Sequence, residues 1–194
     1  MHNTLIVATQ NPHKVAEIRA KIDGFGVHVV SLADLRDFTD PPENFDTFEA
    51  NAAFKALEAY RRHQMPVLAD DSGLCVDHLG GAPGVRSKRF SPAMTDEANN
   101  LLLLQSMAGA EDRRAHFVCV LAYVDATGRL RLFRGELHGS IAHAPCGAHG
   151  FGYDPIFLVG TTGKHLAELD MEEKNRLSHR AQAIEAWLNQ WRNA

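Results

Sequence analysis

The sequence predicts an α/β fold in which helices flank a mixed central β-sheet, bent into two lobes over a cleft. In the first half, short apolar runs typical of buried strands alternate with segments whose apolar residues recur at helical spacing. In the second half, two apolar runs flank Asp125–Gly128, which is the pattern of a hairpin. The 194 residues contain no repeat and no low-complexity linker, so we expect a single domain over residues 1–194.

The first elements are predicted by residues that start helices or form loops as much as by apolar residues. Leu5–Ala8 is expected to be a strand, and a helix follows it. Asn11 and Pro12 mark the helix start, because Asn caps helices and Pro fits the first helical position. Val27–Ser31 predicts a second strand, and the polar segment Asp40–Glu43 predicts a loop.

A long helix is expected next, from Asp46 and Thr47 to about Arg62. Asp46 and Glu49 have the spacing of a capping box, which would satisfy the free amides at the helix start. The short apolar run Val67–Ala69 then predicts a buried strand.

The second half begins with a helix that starts at Thr95 and carries Leu101–Leu104. A closing helix is expected over Ser178–Trp191, with Ser178 as its N-cap and apolar side chains along one face. Between these helices, four apolar runs predict strands: Phe117–Val124, Leu130–Phe133, Glu136–Ile141 and Pro155–Val159.

The composition, with 45% hydrophobic and 23% charged residues, is that of a soluble globular protein with a sizeable core. A formal net charge of −4 gives no bulk attraction to nucleic acid or to an anionic membrane. No apolar run approaches the ~20 residues that span a bilayer, and the start of the chain lacks a cationic leader. The three cysteines, Cys75, Cys119 and Cys146, have no metal-finger spacing, so we expect buried free thiols and a cytoplasmic protein.

The most informative segment is Leu68–Leu74, in which two adjacent acids, Asp70 and Asp71, end an apolar strand. Ser72 and Gly73 are expected to turn the chain there. Because adjacent strand residues point to opposite faces, the two carboxylates should not both pack inward. Acids at such a strand end are suited to holding Mg²⁺ or to activating a water molecule. Taken alone, the segment fits a solvated acidic turn equally well.

Two lysines are candidates for binding phosphate. Lys14 lies in the first turn of the first helix, after Thr9–Pro12, where unpaired amides and the helix dipole attract anions. Lys55 shares a helix face with Asn51 in an otherwise apolar stretch. Each lysine on its own is more often an ordinary solvated side chain, and the turn before Lys14 is not a Walker loop.

Two later segments combine unusual residues. In Gly150–Pro155, two glycines bracket Phe151, so the backbone could approach a ligand and the ring could stack on it; a glycine-rich turn with a core phenylalanine is the alternative. Lys174, His179 and Arg180 cluster at the start of the closing helix, where cations are unfavourable unless an acceptor-rich ligand compensates. Most such clusters are solvated surface. The other histidines form no set with metal-ligand spacing.

Each of these signals is modest, but seven motifs occur in a fixed order: Ala8-Thr-x-Asn-x-x-Lys14-x-x-Glu17, Thr47-Phe48, Asn51-Ala52 with Lys55-Ala56, Ala69-Asp-Asp-Ser-Gly-Leu74, Gly80-Gly-Ala-Pro-Gly-Val85, Gly150-Phe-Gly-Tyr-Asp-Pro155 and Glu173-Lys-x-x-x-Ser-His-Arg180. Their order and spacing resemble the inosine triphosphate pyrophosphatase family, most closely its bacterial XTP/dITP diphosphatases. The resemblance extends from Leu5 to the closing helix.

The resemblance implies a house-cleaning hydrolase for deaminated purine nucleoside triphosphates (ITP, dITP and XTP). Such an enzyme cleaves between the α and β phosphates and releases a monophosphate and pyrophosphate. The family also implies Mg²⁺ as cofactor and a homodimer, with no nucleic-acid or membrane partner. Its fold is an elongated α/β structure with the active site in the cleft between two lobes.

Carried over by position, the resemblance makes Asp71 the general base and also a metal ligand together with Glu43. Lys55 and Ser72 are implied as substrate contacts. The implied triphosphate-binding turn consists of Thr9, Gln10, Asn11, Pro12, His13 and Lys14. The implied purine-binding residues are Phe151, which stacks on the base, its neighbours Gly152, Tyr153 and Asp154, and the base-reading set Lys174, His179 and Arg180.

Three positions depart from the family pattern. Ala50 stands where the family often has Glu, which removes one acid near the metal, and Gln10 and His13 stand where bacterial relatives commonly have Gly. None of these changes touches the implied base or metal ligands, so we expect activity. Two other functions stay open: a pyrophosphatase for other modified nucleotides, and a nucleotide-binding protein without catalysis.

Overall fold

The structure, a computed structural model, describes residues 3–35, 41 and 43–191. Within these residues, six strands form one sheet: β1 (Asn3–Ala8), β2 (Val27–Ser31), β3 (Val67–Val76), β4 (Arg114–Val124), β5 (Leu130–Ile141) and β6 (Phe157–Val159). The α-helices of the same residues are α1 (Pro12–Ile22), α2 (Phe48–His63), α3 (Asp96–Ser106), α4 (Met171–Leu177) and α5 (His179–Trp191). None of the helices described is both long and apolar enough to cross a membrane.

The sheet is mixed, with the strand order β2-β1-β3-β4-β5-β6. β1 pairs in parallel with β2 and with β3, where Ile6 lies opposite Val67, and β5 pairs antiparallel with β6. In the turn between β4 and β5, the Asp125 side chain accepts hydrogen bonds from the backbone N–H groups of Thr127 (2.9 Å) and Arg129 (3.1 Å). The predicted α/β class with a mixed sheet flanked by helices is confirmed.

Contacts within the chain divide it into two compact units. The first unit comprises Met1–Asp71, Cys119–Gly135 and Arg180–Ala194, and the second unit comprises Ser72–Val118 and Glu136–His179. Strands β3, β4 and β5 each contribute residues to both units. The single domain over residues 1–194 stays a prediction.

Helices α1 and α5 build the core of the first unit together with the strands. Val15, Ile18 and Ile22 recur at helical spacing on α1 and are buried, and so are Ile184 and Trp187 on α5. The predicted apolar faces of both helices are therefore confirmed. The strand residues in the same cluster are Leu5, Val7, Leu68, Cys119, Leu121 and Tyr123.

The second unit has a core of its own. Leu103 and Met107 from α3 and its C-terminal end lie in one cluster with Leu74 and Val76 of β3. Phe117, Leu137, Tyr153, Ile156, Phe157 and Leu166 complete the buried part of that cluster.

The start of α2 differs from its prediction. Thr47 is the N-cap, and its side-chain oxygen accepts a hydrogen bond from the backbone N–H of Ala50 at 3.2 Å. The capping box expected between Asp46 and Glu49 was therefore wrong by one residue. The residue that could have completed a box with Thr47 is Ala50, whose methyl group cannot accept a hydrogen bond.

Two predictions about strands were also wrong. β3 does not turn at Ser72 and Gly73 but continues through them, because Leu74 and Val76 extend its buried pattern. Glu136–Ile141 is the second half of β5 and not a separate strand. The predicted loop at Asp40–Glu43 lies partly outside the described residues.

The cysteines are free thiols, as expected. Their burial differs from the prediction. Cys119 is buried inside β4, Cys75 is half-buried, and Cys146 is exposed in the loop after β5.

Candidate active site

Asp70 and Asp71 lie side by side near the middle of β3, and both carboxylates are buried, with 1% and 3% of each residue exposed. The expectation that they could not both pack inward was wrong. Their side chains do leave opposite faces of the strand, but β3 is an interior strand between β1 and β4. A strand in the interior of a sheet can be covered on both faces.

Asp70 is surrounded by donors. Its carboxylate pairs with the ammonium of Lys14 and accepts hydrogen bonds from Arg180 Nε at 2.8 Å and from the thiol of Cys119 at 3.2 Å. Burial by itself would raise the pKa of Asp70, but the charges of Arg180 and Lys14 outweigh it and hold the pKa well below its ordinary value. Asp70 is therefore a permanent anion that anchors two cations.

Arg180 is bound to two acids at once. Its guanidinium pairs with Asp70 and with Glu17 of α1, and both Arg180 and Glu17 are almost fully buried. These carboxylates raise the pKa of Arg180 although burial opposes the charge. The structure thus places Arg180 in a buried ion-pair network of the first unit, and its implied role in reading the base stays a prediction.

Asp71 has a different environment. Its Oδ2 atom is buried and has no hydrogen-bond partner among the described residues, while Oδ1 lies 3.5 Å from Lys55 Nζ. Burial raises the pKa of Asp71 to about 6. The charges of Glu43 and Asp70 add to this increase, and those of Lys55 and Lys14 oppose it. A carboxylate with a pKa near neutrality and an unused oxygen is suited to accept a proton.

Lys55 forms ion pairs with the acids of this region. Its Nζ atom donates to Glu43 Oε1 at 2.8 Å and to the backbone carbonyl of Asp70 at 2.7 Å. Burial would lower the pKa of Lys55, but the carboxylates of Asp71 and Glu43 outweigh it and raise the pKa. Lys55 therefore stays charged although its position on α2 is buried.

The acids fit the requirements of a magnesium ion. Mg²⁺ prefers oxygen ligands and characteristically takes one or two carboxylates, with water and substrate phosphates filling its other positions. Asp71 offers a buried oxygen without a partner, and Lys55 holds the Glu43 carboxylate beside the same residue. Within the described part of the chain, the set of three close metal-ligating side chains lies elsewhere, at Cys146, His165 and Glu168.

The predicted phosphate-binding turn joins β1 to α1, and its start signal is confirmed. Asn11 is the N-cap, and its side-chain oxygen accepts hydrogen bonds from the backbone N–H groups of His13 (2.9 Å) and Lys14 (3.4 Å). Thr9 is buried, and its hydroxyl oxygen accepts from the N–H of Asn11. Gln10 is exposed, as is His13, and Pro12 is the first residue of α1.

In the second unit, Asp154 organises the glycine-rich loop. Its Oδ2 atom accepts hydrogen bonds from the backbone N–H of Phe151 (2.9 Å) and from Lys174 Nζ (2.8 Å). Gly150 has φ +79°, and a Cβ atom there would lie 2.0 Å from the same carboxylate oxygen, so the loop requires glycine. Lys174 Nζ also lies 4.6 Å from the centre of the Phe151 ring.

The other predicted residues of this unit are held by neighbours. The Tyr153 hydroxyl is buried and donates to the carbonyl of Ser87 at 2.8 Å, while the N–H of Gly152 donates to Asp96. His179 is buried and stacks on Phe117, with ring centres 4.8 Å apart. Ser72 is half-buried within β3. The substrate-binding roles of these residues stay predictions.

Sequence reasoning gave no role to Glu17 or Cys119, although both belong to the network around Asp70. Glu17 carried a signal, because an acid next to Ile18 on the apolar side of a helix needs a cation partner when it is buried. Cys119 carried none, since a cysteine in an apolar strand is an ordinary core residue.

Comparison with known proteins places the chain in a family. The Ham1 family model matches residues 5–190. A dITP/XTP pyrophosphatase from Exiguobacterium sp. (strain ATCC BAA-1283 / AT1b) is 48% identical over 181 residues, which cover 93% of this chain and 92% of that protein. A dITP/XTP pyrophosphatase from Geobacter sulfurreducens is 46% identical over 183 residues, with the same coverage of 93% and 92%.

Solved structures agree with these sequence relatives. The Staphylococcus aureus Ham1 protein superposes with a TM-score of 0.89 at 36% identity, covering 98% of each chain. A HAM1 protein from Coxiella burnetii gives a TM-score of 0.90 at 36% identity, covering 98% of this chain and 99% of that one. The resemblance drawn from the seven motifs is confirmed, and the chain belongs to the Ham1 family.

Proposed function

We propose that this protein hydrolyses deaminated purine nucleoside triphosphates (dITP, ITP and XTP) between the α and β phosphates, releasing a monophosphate and pyrophosphate. The observation that carries the proposal is the state of Asp71: buried, with a free carboxylate oxygen and a pKa raised to about 6. The names of the curated relatives, dITP/XTP pyrophosphatases at 43–48% identity, support the substrate class.

Asp71 is the general base of the proposed reaction. Water is a weak nucleophile toward phosphorus, so a positioned carboxylate has to take its proton as the bond to phosphorus forms. With a pKa of about 6, Asp71 is largely ionised at neutral pH yet basic enough to accept that proton. Lys55 holds the other oxygen of the carboxylate, which leaves Oδ2 as the accepting atom.

Asp71 and Glu43 would hold Mg²⁺, which supplies positive charge to the phosphate oxygens and lowers the pKa of bound water when present. Two lysines of the protein would also act on the phosphate oxygens. Lys55 remains charged at its buried position, and Lys14 stands at the start of α1, where the helix dipole also favours anions. Both lysines would stabilise the negative charge that collects on the departing pyrophosphate.

The second unit supplies the proposed purine site. The ring of Phe151 would stack on the base, and Lys174 and His179 would donate to its 6-oxo group. Adenine carries an amino group at that position, so donors would face donors, which costs about 1–3 kcal/mol for each unpaired polar contact. Asp154 would hold Lys174 in place through the 2.8 Å ion pair.

A hydrolysis panel tests the proposal. ITP, dITP, XTP, ATP, GTP and dUTP would be incubated with the protein and Mg²⁺, and pyrophosphate and orthophosphate would be measured separately. We expect pyrophosphate mainly from ITP, dITP and XTP, dependence on added Mg²⁺ after chelation, and loss of turnover in Asp71→Asn but not in the surface control Glu172→Gln. Release of orthophosphate, equal turnover of ATP, or preference for dUTP would contradict the proposal.

The same proposal includes a homodimer that works in the cytoplasm. Light scattering on the purified chain would test the assembly, with twice the mass of one chain as the expected result. A monomer that is fully active would contradict this part and leave the reaction untouched.

A further inference from the structure

A second group of ligand-type side chains lies outside the candidate active site. Cys146 follows β5 in an exposed loop, and His165 and Glu168 belong to the short segment after β6. The Cys146 sulfur, a ring nitrogen of His165 and a carboxylate oxygen of Glu168 all lie within 4.8 Å of one another. A thiol, an imidazole and a carboxylate thus meet at one place in the second unit.

The backbone around these side chains is closely fitted. The N–H groups of Ala148 and His149 both donate to the carbonyl of Ala167, at 3.1 and 2.9 Å. Gly147 has φ +90°, and a Cβ atom there would lie 2.3 Å from the carbonyl carbon of Ala167. Only glycine allows this approach, so the loop that carries Cys146 is fixed against the segment that carries Glu168.

The His165 ring is oriented with one nitrogen left to bind. Its Nδ1 atom lies 2.6 Å from the carbonyl oxygen of Pro155, which also accepts the N–H of Cys146 at 2.9 Å. A carbonyl can only accept, so Nδ1 donates in this contact, and Nε2 is the nitrogen that would bind a metal. Metal-binding histidines usually donate their second N–H in this way, which fixes the tautomer.

Glu168 is oriented as well. Its Oε2 atom accepts the backbone N–H of His165 at 2.7 Å. This bond holds the carboxylate beside the imidazole, and an ionised carboxylate has lone pairs left for a cation. Two of the three candidate ligands are therefore held by hydrogen bonds to neighbouring backbone groups.

We propose that Cys146, His165 and Glu168 bind a zinc ion, with a water molecule as the fourth ligand. The combination of sulfur, nitrogen and oxygen favours zinc over magnesium or calcium, which take oxygen ligands. Ligand atoms around tetrahedral zinc are roughly 3.5 Å apart, given bonds of ~2.0–2.3 Å. Rotation of the exposed Cys146 side chain would close this gap.

Zinc at this place would link two segments of the second unit. The loop that carries Cys146 leads directly into Gly150–Asp154, so the ion would restrain the glycine-rich loop from its N-terminal side. None of the three ligands takes part in the proposed hydrolysis. The zinc site and the proposed function can therefore fail independently.

Cobalt is the probe for the test, because Co²⁺ replaces zinc and absorbs light. Metal-free protein would be titrated with Co²⁺ in excess Mg²⁺, which occupies oxygen-only sites. We expect one equivalent to produce a near-ultraviolet thiolate-to-cobalt band that zinc then removes. The band should vanish in Cys146→Ser, persist in Cys75→Ser and in Asp71→Asn, and need at least about tenfold more Co²⁺ in His165→Gln and Glu168→Gln.

Thermal unfolding gives a second readout that does not depend on colour. Zinc should raise the unfolding midpoint of the wild-type protein and leave that of Cys146→Ser unchanged, because a ligand stabilises only the state that binds it. The proposal is overturned if the wild type shows no thiolate band, if the band survives in Cys146→Ser, or if zinc shifts both proteins equally.

Discussion

The surroundings of Asp70 and of Asp71 differ although the two residues are neighbours on one strand and equally buried. Asp70 faces Lys14, Arg180 and Cys119, and its pKa is held well below the ordinary range. Among the residues that the structure describes, Asp71 forms an ion pair with Lys55 alone, and burial, which outweighs the charges of Lys55 and Lys14, raises its pKa to about 6. Within these residues, Asp70 pairs directly with two cations and Asp71 with one, and this difference decides which acid is structural and which can exchange a proton.

Replacing the base should give the largest effect. Asp71→Asn keeps the size of the side chain but cannot accept a proton, so kcat should fall on the order of 10³-fold. Steady-state pyrophosphate release measures this, with unfolding by denaturant as the check that the variant is folded. A loss below tenfold in a folded variant would mean that another group activates the water.

Removing the charge of the neighbouring Asp70 should lower the free energy of unfolding. Asp70→Asn leaves Lys14 and Arg180 short of a buried anion, and breaking a buried pair costs about 3–5 kcal/mol. Denaturant unfolding of this variant would be compared with Glu172→Gln, which breaks the exposed pair with Arg176 and should cost no more than about 0.5 kcal/mol. Equal losses in the two variants would show that burial does not distinguish the pairs.

The difference between the two acids should also appear as a pH dependence of stability. The pKa of Asp71 is raised in the folded state, so its contribution is present below the unfolded value of 3.8 and is lost as the pH rises through about 6. Without divalent metal, wild-type protein should therefore lose about 2 kcal/mol relative to Asp71→Asn between about pH 4 and about pH 8.

Unfolding free energies of both proteins across this pH range provide the test, and the difference cancels the titration of groups that do not interact with Asp71. For Asp70 the sign is opposite, because its pKa is lowered: its contribution is present above 3.8 and is lost as the pH falls further. A wild-type protein that gains stability relative to Asp71→Asn as the pH rises toward 8 would contradict the assignment.

The smallest expected change in stability concerns α2, the helix on which Lys55, the partner of Asp71, lies. Ala50→Glu should complete a capping box with Thr47 and stabilise the protein by about 0.3–1.5 kcal/mol. Ala50→Lys is the matched control, because a lysine has no acceptor and its charge opposes the helix dipole. If both variants change the unfolding free energy equally, capping is not the cause.

Much of this fold could be predicted because local patterns determined it. The apolar spacing of α1 and α5, the Asn11 cap and the turn at Asp125 are properties of short segments, and each was found. The burial of both Asp70 and Asp71 could not be predicted, because it depends on β3 being an interior strand. That order results from pairing with β1 and β4, which no short segment encodes.

The candidate site also combines residues that the sequence predicted with contacts that it did not. Asp71 and Lys55 belong to the motifs and Glu43 was implied by the family resemblance, and the structure brings their charged groups together. The pairing of Arg180 with Asp70 joins positions 110 residues apart, and the meeting of Cys146 with His165 depends on a loop fixed by Gly147. Such contacts arise from the folded chain, and spacing along the sequence does not reveal them.

An isotope-edited NMR titration of the aspartate carboxyl carbons in the metal-free protein tests the central claim most directly. One aspartate should titrate at about 6, and its signal should be absent from the Asp71→Asn protein. If no carboxyl titrates near 6 in the wild type, or if that signal disappears in Asp70→Asn and stays in Asp71→Asn, the division of roles between the two acids is contradicted.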